Sequence, residues 1–194
     1  MKKFLTLIFL LNFSLSNAYS LQPDIFVQST VNRASEILSK NISKEEKMNA
    51  LRTIAKETVD IEGIGFYSLG SARKNLNDNQ KKIYFDLFEN YFLKSFSSRL
   101  SEYTNPKINV ESKKVINENY TIVNSILIST PDRPQIKIDW RIYTKNPKEP
   151  LIRDLIIEGL SLARTQKEEF ASILNSNNGD IKALFETLEN FSRN

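Results

Sequence analysis

The stretch Arg153–Phe170, RDLIIEGLSLARTQKEEF, decides the architecture of this 194-residue chain. Extended back to Leu151, its first half is an almost unbroken apolar run to about Glu158, which predicts a strand. Gly159 supplies the turn. Beyond it, Thr165 and Glu168 have the T-x-x-E spacing of a capping box, opening an amphipathic helix that carries Phe170, Ile173 and Leu174. A last strand therefore passes directly into a closing helix.

Working backwards, the period of the apolar residues is two. Ile136, Ile138, Trp140 and Ile142 share one side of a strand over 135–144, with Lys137, Asp139 and Arg141 on the other. Pro147 and Pro150 bracket the turn into the last strand, and a Pro131–Pro134 turn precedes this one. A strand over 120–130 and another containing Ile108 and Val110 come earlier, joined at Asn117-Glu118-Asn119. Four consecutive strands with short turns make an antiparallel meander with one wet face.

Before Pro106 the period is helical. Phe26, Val27, Thr30, Val31, Ala34, Ile37 and Leu38 form one apolar face from Asp24 to about Ser39. Ser43 with Glu46 caps a second helix whose inward face includes Leu51, Ile54, Ala55 and Val59. IEGIGFYSLG, ending at Gly70, suggests a short, tightly packed helix. Asn77 and Gln80 cap the longest helix, to roughly Tyr103, with Ile83, Tyr84, Leu87, Phe88, Tyr91, Phe92, Phe96 and Leu100 at helical spacing. Helices gathered before and after a meander predict an α+β fold: a four-stranded, curved antiparallel sheet covered on one face.

Residues 1–18 have the features of a secretory signal. Lys2 and Lys3 form the basic start, Phe4–Leu11 the apolar core, and Ser16-Asn17-Ala18 the small-residue cleavage pattern. Removing 18 of the 194 residues leaves 176, one domain over 19–194. Of 27 basic side chains 25 remain, against 23 acidic ones, so the surplus of two is too small to argue for nucleic acid. There is no cysteine and no histidine. Disulfides, Ser-His and Cys-His machinery and the common zinc sites are thereby excluded.

Three blocks carry a resemblance to a known family. DIEGIGFYSLGSAR, residues 60–73, has an aromatic-Leu-Gly-basic pattern in Phe66, Leu69, Gly70 and Arg73. The long helix contributes Gln80, Phe85, Phe88, Leu100 and Tyr103. The third block is the closing stretch, continuing through Gly179-Asp180 to Ile181, Leu184 and Leu188. In this order, behind a signal-like segment, they resemble the MlaC/toluene-tolerance family of periplasmic phospholipid-binding proteins. The resemblance implies a cone like that of nuclear transport factors, with acyl chains held in an apolar cavity. It implies no enzymatic activity and no cofactor, only a bound phospholipid as cargo. As partners it implies an inner-membrane ABC transporter with its lipid-binding ring protein, and an outer-membrane lipoprotein complex. The carrier itself is expected to be a monomer in the periplasm.

The expected lining follows from the pattern together with that resemblance. Ile138, Trp140 and Ile142 come from the sheet and Phe88, Phe92 and Phe96 from the long helix. Phe66 and Leu69 close one side, and Ile156, Leu160 and Leu162 form a rim. Periodicity does not distinguish a packed core from a lipid-lined one, so both readings stand here. Asp154 and Glu158, four apart in a strand, are expected on the solvated side. If they instead face the interior, a carboxylate-dependent isomerase on the same fold is the alternative. An adaptor with a filled core is the other.

Overall fold

The structure, a computed structural model, describes residues 20–131 and 133–193. The signal-like segment at 1–18 lies outside them.

Two of the three capping boxes expected from the sequence form. Ser43 Oγ accepts from the Glu46 N–H while the Glu46 side chain accepts from the Ser43 N–H, and Asn77 and Gln80 exchange the same pair of bonds. They start α2 (Lys44–Thr58) and α4 (Asp78–Leu100). Upstream, α1 (Pro23–Ser39) begins with proline in its first turn, where no N–H is needed. Between the capped helices lie α3 (Ile61–Ser68) and a 3-10 turn, Gly70–Lys74. Gly70 enters that turn at φ 56°, a backbone state that favours glycine. The long helix stops at Leu100, three residues short of the expected Tyr103.

The strands β1 (Ile108–Asn117), β2 (Tyr120–Leu127), β3 (Ile136–Tyr143) and β4 (Leu151–Ile157) form the expected meander. A fifth strand adds to the four, because Glu158 and Gly159 both take positive φ, 49° and 83°. That is the geometry of a tight two-residue hairpin. It folds β5 (Leu160–Ser161) back onto β4, pairing Ile157 with Leu160 and Ile156 with Ser161. The closing helices are α5 (Leu162–Ser176) and α6 (Ile181–Arg193). Register slips at Glu111, Ile116 and Arg153 relieve the sheet where it curves.

The expected Thr165–Glu168 capping box does not form. Ser161, held extended by β5, is the N-cap; its Oγ accepts from the Arg164 N–H at 3.1 Å. The helix therefore starts as soon as the strand ends, and Thr165 lies inside it, donating to the Ser161 carbonyl at 3.0 Å. Glu168 pairs instead with Arg164 at 2.9 Å.

Two joints fix the helices to the sheet. Gln28 of α1 bonds the free edge of β1 as a strand would, donating to the Ile108 carbonyl and accepting from the Val110 N–H. At the opposite edge the Asp60 N–H donates to the Ile152 carbonyl at 2.9 Å, pinning the elbow between α2 and α3 to β4. Asp60 also caps α3 through Gly63 and accepts from Arg153 Nε at 2.6 Å. Arg153 in turn donates to the Tyr120 hydroxyl and lies 4.2 Å over the Tyr143 ring. A Cβ at position 63 would sit 2.5 Å from Asp60 Oδ2 and 2.7 Å from Arg153 Nε, so only glycine leaves room for this clasp.

Candidate functional site

The covered face of the sheet is apolar at its centre. On β3, Ile138, Trp140 and Ile142 are all buried, and across from them on β2 stand Ser125, Val123 and Thr121. Trp140 Nε1 donates to Ser125 Oγ at 2.8 Å, and that hydroxyl donates to the Ile138 carbonyl at 3.1 Å. The polar atoms on this face are thus satisfied among themselves, leaving the indole body for apolar contact. On β4 the register places Ile157 opposite Ile138 and Leu155 opposite Trp140. Ile156, expected at the rim, pairs with Asp139 and so lies on the other face of the sheet. Its neighbours Leu155 and Ile157 take the inward positions, and sequence reasoning missed both. Strict alternation from the inward Ile152 would turn Ile156 inward; the register slip at Arg153 reverses that parity.

The helical wall comes from α4. On one side of this helix Glu89 pairs with Lys56 of α2, and Ser97 accepts from Arg52. On the other, Tyr91 meets the Phe191 ring of α6 and Lys94 the Ser192 carbonyl. Phe88, Phe92 and Phe96, spaced by four, occupy the face between these flanks, turned toward the interior. Their rings form a continuous row: Phe88–Phe92 centroids are 6.1 Å apart, and Phe92–Phe96 are 5.7 Å apart and nearly parallel at 10°. Phe88 is buried against Tyr84, Phe170 and the backbone of Gly65, whereas Phe92 and Phe96 are half-buried. The backbone of α4 leans chiefly on α2, α3 and α6.

Nothing in this row is charged. Burial pushes the Tyr84 phenol far above its ordinary value, and its hydroxyl donates to the Gly65 carbonyl at 2.9 Å. Burial raises Tyr91 as well, with its hydroxyl donating to Gln166. Among the described residues no group of His, Cys, Asp or Glu is placed to hold a metal ion.

Apart from Ile156, on the other face, the structure divides the expected lining residues into three groups. Leu69, Phe88, Ile138, Trp140 and Ile142 are buried, and Phe92 and Phe96 pack partly buried against the same core. Phe66, Leu160 and Leu162 face solvent. Leu160 is the most open at 60% exposed, since β5 is an edge strand of two residues.

The acidic residues are engaged in ways the sequence did not suggest. Asp154 was expected to be solvated, yet it is 6% exposed. Its Oδ2 accepts from the Ser161 hydroxyl at 2.6 Å and its Oδ1 from the Ala163 N–H at 3.0 Å. It is therefore the anchor of the corner from β4 through β5 into α5. Glu158 is exposed, as expected, and its carboxylate accepts from the Lys137 N–H. Asp139 accepts from Asn124 at 2.7 Å on the face away from Trp140. None of the three is a free acid facing the aromatic row.

A groove of about 520 Å³ lies where the elbow between α2 and α3 meets α4 and the start of β4. Val59, Ile61, Phe85 and Leu151 form its apolar floor, which reaches Phe88; Lys56, Glu62, Lys82 and Asp86 stand on its rim. The aromatic row thus borders an open volume at this end.

Comparison with known proteins agrees with this geometry. A curated relative from Haemophilus influenzae, the intermembrane phospholipid transport system binding protein MlaC, is 27% identical over 161 residues, covering 79% of this chain and 75% of the relative. A solved structure, a phospholipid-binding protein from Ralstonia solanacearum in complex with a phospholipid, superposes with a TM-score of 0.74 at 16% identity. That match covers 89% of this chain and 98% of the other, and shows the same fold. The model of the family described as MlaC protein matches residues 28–190, from α1 through most of α6. With the match spanning the whole sheet and the aromatic row, the chain belongs to the MlaC family.

Proposed function

We propose that this protein is a periplasmic carrier that binds phospholipid and passes it between membrane complexes. The family match over residues 28–190 carries the reading, because it contains both walls of the site. The likeness to a protein holding a phospholipid supports it, as does the name of the Haemophilus relative.

Acyl chains would lie between Ile138, Trp140, Ile142, Leu155 and Ile157 of the sheet and Phe88, Phe92 and Phe96 of α4. Each methylene left in water costs about 0.8 kcal/mol, so a two-chain lipid crosses water only inside an apolar enclosure. A matching enclosure makes transfer nearly neutral, and the carrier needs no chemistry of its own. Accommodating the chains requires the helices to part from the sheet, since the inner face is closed by protein side chains in this form. Among the described residues no backbone hydrogen bond joins α4 to the strands, which favours movement of that helix.

The partners we assign, by family, are an inner-membrane ABC transporter with its lipid-binding ring protein and an outer-membrane lipoprotein complex, with the carrier itself monomeric. The segment 1–18 would direct export and be removed. The packed interior favours one competing reading, an adaptor that carries no ligand. Native mass spectrometry of the protein purified from a periplasm decides between them. A stoichiometric phospholipid is expected; a protein that is empty and also refuses lipid from vesicles overturns the carrier reading.

A further inference from the structure

The outer face of α3 carries two aromatic side chains that the fold leaves open. Phe66 and Tyr67 are each 43% exposed, while Ile64, Gly65 and Ser68 on the same short helix are buried. Each exposed ring has a cation over it. The Arg73 guanidinium lies 4.7 Å from the centre of Phe66, and Lys167 Nζ lies 5.2 Å from that of Tyr67. Arg164 precedes Lys167 by one turn at the start of α5. Three separate elements, α3, the 3-10 turn and the start of α5, therefore converge on an aromatic pair with a cation over each ring. Of the acids nearby, Glu168 is taken up by Arg164 at 2.9 Å, and Glu62 stands one helical turn before Phe66. The balance of the patch is positive.

Resting on the carrier reading, we infer that this face of α3 docks the protein reversibly on an anionic phospholipid bilayer. The chemistry of the patch fits that occupant. An aromatic ring is at home in the headgroup layer, and a long cationic side chain lying along it extends its charge to lipid phosphate. Arg73 and Lys167 supply the attraction, Arg164 being paired with Glu168, and Phe66 and Tyr67 the shallow insertion. So small an apolar footprint gives weak binding, which suits a carrier that must leave again. The contact also bears on the site. Gly65, on the buried side of the same helix, abuts the Phe88 ring so closely that a Cβ there would fall 2.7 Å from Phe88 Cδ1. A bilayer pressing on α3 acts on the end of the aromatic row.

Flotation of the purified protein with vesicles tests this. Vesicles of mixed phosphatidylglycerol and phosphatidylcholine should carry the protein, those of phosphatidylcholine alone should not, and added salt should release it. Arg73→Gln and Lys167→Gln should each weaken binding about fivefold, and Phe66→Ser with Tyr67→Ser should abolish it while the thermal transition persists. Equal flotation on both vesicles overturns the inference. So does a patch whose charge variants bind as the parent does. Absence of flotation altogether also overturns it and points to an acidic protein surface instead. Bound lipid is measured by mass spectrometry on the same preparations. A lipid-loaded protein that does not float sinks only the docking surface, and an empty one that floats sinks only the carrier reading.

Discussion

Replacing Asp154 by asparagine should destabilise the protein without touching the aromatic row. The carboxylate is 6% exposed and accepts two hydrogen bonds, from the Ser161 hydroxyl at 2.6 Å and the Ala163 N–H at 3.0 Å. An amide oxygen can keep the bond from Ala163. The amide nitrogen then faces Ser161 Oγ, which already accepts from Arg164, and the serine proton must turn away from it. One charge-assisted bond is lost, worth about 1.5–3 kcal/mol. For a protein of this size about 2–4 °C is lost per kcal/mol, so the melting temperature should fall by roughly 3–12 °C. Asp154→Ala loses both bonds and leaves a buried N–H unpaired, and should fall further. Thermal unfolding followed by far-ultraviolet circular dichroism at neutral pH measures this. Ser161→Ala and the double variant complete a cycle, in which the double variant should lose at least about 1 kcal/mol less than the sum of the singles. Asp154→Asn within about 0.5 kcal/mol of the parent, a range typical of surface changes, would refute the anchoring role and return Asp154 to the list of candidate acids.

Other positions give independent checks. Gly65→Ala forces a methyl onto Phe88, itself 1% exposed, and should cost about 1–3 kcal/mol in urea unfolding; parental stability would mean that Phe88 has room to retreat. The Lys113 ammonium, bonded to Asp24 at 2.7 Å, holds that carboxyl below its ordinary value. The contact stabilises the fold above the unfolded carboxyl pKa of about 3.9 and is lost as the pH falls through the lower folded value. Lys113→Gln should therefore lower stability at neutral pH by under about 1 kcal/mol, both groups being a third exposed, and flatten part of the acid limb between about pH 2 and 5. An unchanged limb would show that the pair contributes nothing. Phe92→Asp places a carboxylate in the half-buried part of the row and should reduce bound phospholipid at least about tenfold, a difference of about 1.4 kcal/mol. Parental lipid content in a folded variant would place the chains elsewhere.

Much of this protein is determined locally. Ser43 with Glu46 and Asn77 with Gln80 place two helix starts because a capping box needs only four consecutive residues. Alternation places Ile138, Trp140 and Ile142 on one face because the pleat repeats every two residues. The spacing of Phe88, Phe92 and Phe96 puts them on one stripe of a helix for the same kind of reason. These sufficed for the α+β class and for the two apolar stripes, on β3 and α4, that the proposed site uses.

What tertiary structure alone decided lies where local signals are silent or conflict. The run Leu151–Ile157 has apolar residues on both sides, so only its pairing with β3, with the register slip at Arg153, could turn Leu155 and Ile157 inward and Ile156 away. Thr165 and Glu168 satisfy a capping pattern, yet Ser161 takes the role because β5 delivers it already extended at the helix start. Asp154 is an acid that sequence statistics place in water. Two donors brought round by the Glu158-Gly159 hairpin, nine residues or fewer along the chain, make its burial favourable. Likewise Phe66, apolar and near the core in sequence, faces solvent because the other side of α3 is the one that fits against Phe88. Spacing along the chain decides which side chains share a face; which face is covered depends on what the rest of the chain brings to it.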